Sequence, residues 1–151
     1  MPENPIQKRL VLARNGQDPR VIGRMESGWL VLADTQPLAG YCILMADPDV
    51  ESLNAMPEAA RLRYLSDTVR VGDALLQVTG AERINYETWC NLAPSLHTHI
   101  VPRYAHEAQA QRVLPMCVAY DVASARPFDG DADAPLMNAL RKLLDITPAG
   151  V

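Results

Sequence analysis

The order of apolar runs and chain breakers points to an α+β fold: a mainly antiparallel sheet with one long helix packed on it and a C-terminal helix. Three observations carry this. Trp29 to Ala33 and Gly40 to Met45 are β-type runs joined by Asp34-Thr35-Gln36-Pro37, a link too short for a parallel crossover. Pro57 to about Val78 is a long helical stretch that ends before Gly80. Leu136, Met137, Leu140, Leu143 and Leu144 recur at helical spacing behind Asp133, which is placed to cap them.

In chain order, residues 1–9 are polar and contain proline, so a flexible arm is expected. Leu10 to Ala13 reads as a short strand, closed by the Asn15-Gly16 turn. Val21-Ile22 starts a partner strand, and Glu26-Ser27-Gly28 turns into the run at Trp29. After Met45, Asp47-Pro48-Asp49 opens a helical turn through about Leu53. Pro57 suits the first position of the long helix and Glu58 complements its N-terminus. Leu62, Leu65, Val69 and Leu76 form the stripe expected to dock on the sheet. Arg83 to Tyr86 reads as a strand and residues 95–101 as another, with a loop between them. The polar stretch 105–112 reads as a mobile loop, and Leu114 to Tyr120 as extended chain.

A chain of 151 residues, 48% of them hydrophobic, fits a single domain (1–151) with a real core. Its 14 basic and 18 acidic residues leave a net charge of −4, against the basic footprint of a nucleic-acid binder but compatible with a local site for an anionic small molecule. Cys42, Cys90 and Cys117 are too few and too scattered for a disulfide framework, which fits a reducing compartment. The first residues have no apolar core of a signal peptide, and no run approaches the roughly 20 residues of a membrane span. A cytoplasmic protein without membrane attachment is the expectation.

The most informative stretch is Pro94-Ser95-Leu96-His97-Thr98-His99-Ile100-Val101-Pro102-Arg103-Tyr104. On a strand, Ser95, His97 and His99 share one face while Leu96 and Ile100 share the other. Pro102, having no N–H, is expected to end the pairing. Such a histidine pair can be structural, can supply two metal ligands, or can supply a nucleophile and a proton donor. A zinc site would need more ligands, with Cys90 and His106 the nearest in sequence.

This stretch resembles the signature of the histidine-triad (HIT) superfamily, His-φ-His-φ-His-φ-φ, where φ is apolar, often followed by Pro-Arg. His97 and His99 fall on its second and third histidines and Ser95 on its first, while Thr98 stands where an apolar residue is usual. Leu30 to Tyr41 is similar to the superfamily's strand–turn–strand ending in Gly-His, with Gly40-Tyr41 at that end. Ile84-Asn85-Tyr86-Glu87 followed by Asn91 and Pro94 looks like a bacterial branch that includes diadenosine tetraphosphate hydrolase-like proteins. The likeness spans roughly residues 20–104.

The resemblance implies a homodimer whose sheet continues across the two-fold, and chemistry at the α-phosphorus of a nucleotide. His97 would attack and carry a nucleotidyl-imidazole intermediate, as a neutral imidazole can near pH 7. His99, when protonated, would donate to a phosphate oxygen, and Ser95 would hold the network in place of the missing histidine. Asp34 would accept from ribose hydroxyls and Asn91 would donate on the phosphate side. The implied substrates are dinucleoside polyphosphates or adenylyl conjugates, hydrolysed or passed to an acceptor. No metal site or other cofactor is called for, although a divalent cation can accompany the phosphates. The rival reading is a nucleotide-binding homologue that Ser95 has left with little catalysis. Arg103 reads as solvated or as an interface residue, with a phosphate partner the alternative. Cys90 reads as buried filler and His106 as surface, and Tyr86 and Trp89 read as core, with the base pocket the alternative.

Overall fold

The computed structural model describes residues 3–148. Its centre is a five-stranded antiparallel sheet in the order β1-β2-β3-β5-β4, formed by β1 (Val21–Arg24), β2 (Gly28–Leu32), β3 (Cys42–Ala46), β4 (Arg83–Glu87) and β5 (His97–Arg103). β5 lies between β3 and β4, with His97 opposite Met45 and His99 opposite both Ile43 and Glu87. The histidines therefore stand in the interior of the sheet, where both neighbouring strands hold the backbone.

The long helix α2 (Glu58–Thr79) and the C-terminal helix α5 (Ala134–Leu144) cover one face. Leu30, Leu32, Leu44 and Ile100 bury there against Val71, Leu75, Met137 and Leu140. Gly80, in the left-handed region, closes α2. The expected docking stripe is on the wrong side: Leu62, Leu65, Val69 and Leu76 are exposed, and the buried face carries Tyr64, Thr68, Val71, Gly72 and Leu75. Much of that face is polar or small and escapes a reading of apolar periodicity. Its polar groups are satisfied on docking. Tyr64 Oη donates to the Leu44 carbonyl (3.0 Å), and Asp67 accepts from Ser27 N (2.9 Å) and Ser27 Oγ (2.7 Å). A Cβ at Gly72 would lie 1.9 Å from Tyr86 Oη, so a bare backbone is needed there.

Several expectations for the outer segments are corrected. Residues 5–9 are not an arm: Pro5–Arg14 is a helix, α1, which also replaces the strand expected at Leu10 to Ala13. Met1 and Pro2 lie outside the described residues. Asn4 caps α1, its Oδ1 accepting from Ile6 N (3.0 Å). Ile6, Leu10 and Ala13 bury against Trp29, Val31, Ile43 and Met45, on the same sheet face as the histidines. The amphipathic pattern was masked by Pro5 and by Asn4, which are helix-start signals rather than breakers here.

β5 begins at His97, not Ser95, because Ser95 N and Leu96 N bond to Ala93 O and Val50 O outside any ladder. It also runs through Pro102 to Arg103. On the β3 side the ladder has already ended at Cys42 and Ile100, so the missing N–H of Pro102 leaves no gap. Residues 105–112 contain the short helix α3 (Gln109–Arg112), and the expected extended run contains α4 (Met116–Ala119). Arg103 ties this segment down. It is buried, pairs with buried Glu107 (Nη2 to Oε1, 3.0 Å) and donates to the carbonyls of Gln111 (2.9 Å) and Leu114 (2.7 Å). Neither a solvated nor a phosphate-binding role fits that environment. Asp133 precedes α5 as expected but caps nothing with its side chain, which instead pairs with Arg126 (2.6 Å).

Candidate functional site

His97 and His99 project from the same face of β5, with ring centroids 5.1 Å apart and planes at 72°. His97 Nδ1 lies 2.7 Å from the carbonyl oxygen of Ser95. A carbonyl can only accept, so His97 carries its proton on Nδ1 and leaves Nε2 with a free lone pair. Burial, reinforced by the Arg9 guanidinium, lowers the His97 pKa below the usual histidine value, despite the opposing bond to Ser95.

His99 has a different partner. Its Nδ1 lies 2.6 Å from Tyr41 Oη. Burial pushes the Tyr41 pKa well up, so the phenol keeps its proton and donates a hydrogen bond to His99 Nδ1. His99 then bears hydrogen on Nε2. Burial, with His97 and Arg9 adding positive-charge repulsion, lowers its pKa to about 4. At neutral pH His99 is an uncharged N–H donor, not the imidazolium expected from the sequence.

The Ser95 hydroxyl bonds to neither imidazole. Ser95 is wholly buried and its Oγ accepts from Asn4 Nδ2 at 2.9 Å, so its side chain fastens α1 to the start of β5. Its backbone, not its hydroxyl, serves His97. Thr98, on the opposite face, is held by Tyr64 Oη (2.9 Å) and Thr88 Oγ1 (2.8 Å), which explains a polar residue at a usually apolar position. Asp34 follows β2 and stays half-exposed, with Arg9 on one carboxylate oxygen and Arg20 on the other. Arg20 is in turn held by Asp18 (Nε to Oδ1, 2.9 Å). Asn91 is exposed in the bend between β4 and β5.

Cys90 is half-buried and packs against the core beneath the sheet, as filler does. Its Sγ lies 3.7 Å from His97 Nδ1, on a residue with φ of 55°. His106 is exposed and stacks on Tyr104, with centroids 5.0 Å apart. Among the described residues no three His, Cys, Asp or Glu side chains gather where they could hold a metal ion. A cavity of about 250 Å³ opens beside His99 on the β4 side, lined by Tyr41, Glu87, Trp89, Met116 and Val122. Trp89 is exposed rather than core, and Tyr86 is half-exposed against α2.

Tyr41 and Arg9 were missed from sequence for different reasons. Tyr41 occupies the Gly-His position of the resemblance, so a signal was there. Arg9 sat in the supposed arm and carried none.

No family model matches the sequence, and no curated protein does. Solved structures do. A histidine triad protein from Bradyrhizobium japonicum is similar at a TM-score of 0.71 and 22% identity, over 82% of this chain and 89% of that one. One from Marinobacter aquaeolei VT8 gives 0.73 and 17%, over 91% and 93%. A hypothetical histidine triad nucleotide-binding protein from Sulfolobus tokodaii strain7 gives 0.63 and 11%, over 83% of each chain. The chain has the histidine-triad fold, with serine and tyrosine at two positions where the motif expects histidine.

Proposed function

We propose that this protein is a nucleotide hydrolase or nucleotidyl transferase acting at the α-phosphorus of dinucleoside polyphosphates or adenylyl conjugates. The observation that carries the proposal is the bond from His97 Nδ1 to the Ser95 carbonyl, which leaves Nε2 unprotonated and fixed in direction. Nε2 attacks phosphorus as the bond to the leaving group breaks, and the leaving group departs with the electron pair. Water, or another acceptor, then attacks the nucleotidyl-His97 intermediate and returns the lone pair to Nε2. His99 contributes its neutral Nε2–H to a phosphate oxygen on which charge grows. Asp34, its two oxygens oriented by Arg9 and Arg20, keeps lone pairs for the ribose hydroxyls. Asn91 stands free to donate on the phosphate side, and a divalent cation can enter with the substrate phosphates.

Homodimerisation belongs to the same proposal. β4 is an edge strand, and the exposed α2 stripe of Leu62, Leu65, Val69 and Leu76 is the kind of apolar face that a partner covers.

The rival reading, a nucleotide-binding protein with little catalysis, draws on the absent first histidine. Steady-state hydrolysis of a panel of adenylyl substrates, run beside nucleotide-binding titrations, decides between them. Turnover lost in His97→Ala with AMP binding kept is the expected result. Binding without turnover in the wild type would favour the rival.

A further inference from the structure

The cavity beside His99 carries chemistry that the nucleotide reading does not use. Across the sheet, Asp34 lies beyond β2, the histidines lie on β5, and Glu87 and the cavity lie on the β4 side. If Asp34 takes the ribose, a phosphate over the histidines presents its leaving group toward this cavity. Its walls are mostly apolar: Trp89, Met116, Val122 and the ring of Tyr41. Glu87 is the one formally charged side chain in the lining, which holds no Lys or Arg. The arginines, Arg9 and Arg20, are gathered instead around Asp34.

The wall is also firmly placed. Met116 and Val122 come from the segment after β5, beyond the residues that carry the resemblance. Thr35 Oγ1 donates to the Val122 carbonyl (2.6 Å), and Tyr120 Oη donates to Glu107 (2.8 Å), which is itself locked to Arg103. The cavity is therefore bounded by a braced segment rather than by a loose loop.

We propose that this cavity is a leaving-group subsite that takes a compact apolar group, uncharged or cationic, and turns away polyphosphate. This deepens the reading above and rests on it. A second nucleotide would have to bring its phosphates against the Glu87 carboxylate with no Lys or Arg in the lining to meet them, and about 250 Å³ is small for a nucleoside. One aromatic or branched aliphatic group fits the lining. Of the two substrate types above, adenylyl conjugates with such a group are the ones selected.

Affinities measured on the His97→Ala protein, which cannot turn substrate over, test this. The probes are AMP, its methyl ester, its 2-phenylethyl ester and diadenosine tetraphosphate. The phenylethyl ester should bind about tenfold or more tighter than the methyl ester, the scale of a filled apolar pocket. Trp89→Ala, a change at an exposed side chain, should remove most of that gain, read as the ratio of the two ester affinities in the same protein. Glu87→Lys should improve diadenosine tetraphosphate binding selectively. Equal affinity of the two esters, or preference for diadenosine tetraphosphate in the Glu87 protein, overturns the subsite while AMP binding preserves the wider reading. Failure of every probe, AMP included, overturns both.

Discussion

At the scale of single residues, the site is set by which ring nitrogen carries the proton. Two neighbouring histidines receive opposite tautomers, one from a backbone carbonyl and one from a phenol. Tyr41→Phe removes the hydrogen bond to His99 Nδ1 but keeps the burial and the His97 and Arg9 charges that lower its pKa. The His99 titration should therefore stay well below the ordinary histidine range, while turnover falls by the worth of one hydrogen bond, about 1 kcal/mol. An NMR pH titration of the ring protons reads the first effect and steady-state kinetics the second. Unchanged turnover would show that the tyrosine only fills space. The same pKa bears on stability. His99 binds its proton more weakly in the fold, at about 4, than in the unfolded chain. Its contribution to stability is full above the unfolded value of about 6.5 and is lost as pH falls toward the folded one. Denaturation midpoints from pH 8 to 4 should decline through that window.

At the scale of elements, two segments hold the histidine strand from outside the sheet. α1 is fastened at Asn4 to Ser95, where the sequence comparison expected a third imidazole. From the motif alone, Ser95→His looked like a restoration. The structure gives the opposite expectation, because Ser95 is fully buried and its partner is the cap of α1. The larger ring must displace Asn4, and overpacking of this kind costs about 1–3 kcal/mol. A thermal melt of Ser95→His should show lower stability than wild type, and an unchanged melt would mean the ring finds room. On the other side, Arg103 and Glu107 form a buried pair that braces α3 and α4. Arg103→Ala leaves the buried Glu107 carboxylate without its counter-charge and should cost about 3–5 kcal/mol, measured by chemical denaturation. The paired change Arg103→Met with Glu107→Leu should cost clearly less. Neither clasp was legible in the sequence. Both depend on contacts between residues distant in the chain, and the local signals, Pro5 near the start and a polar run after Arg103, read as loop.

At the scale of the whole molecule, the antiparallel sheet and the shared face of the two histidines were legible because they rest on local signals. Short links between apolar runs force antiparallel neighbours, and His-x-His alternation puts both rings on one face. The orientation of α2 was not. Its leucine stripe is a genuine apolar face that points outward, while Tyr64, Asp67 and Thr68 go inward with their hydrogen bonds made. If that stripe is the face between two protomers, Leu65→Lys together with Val69→Lys should convert a dimer to a monomer in analytical ultracentrifugation, leaving far-UV circular dichroism unchanged. A wild-type monomer would place the stripe's role elsewhere. The central chemical claim is that His97 Nε2 is a nucleophile toward phosphorus. Its most direct measurement is intact-mass analysis of the protein quenched during turnover of an adenylyl substrate, followed by peptide mapping. The expected result is an acid-labile adenylyl adduct on His97 that is absent from His97→Ala. Efficient turnover with no adduct at any quench time, or an adduct on another residue, would contradict it.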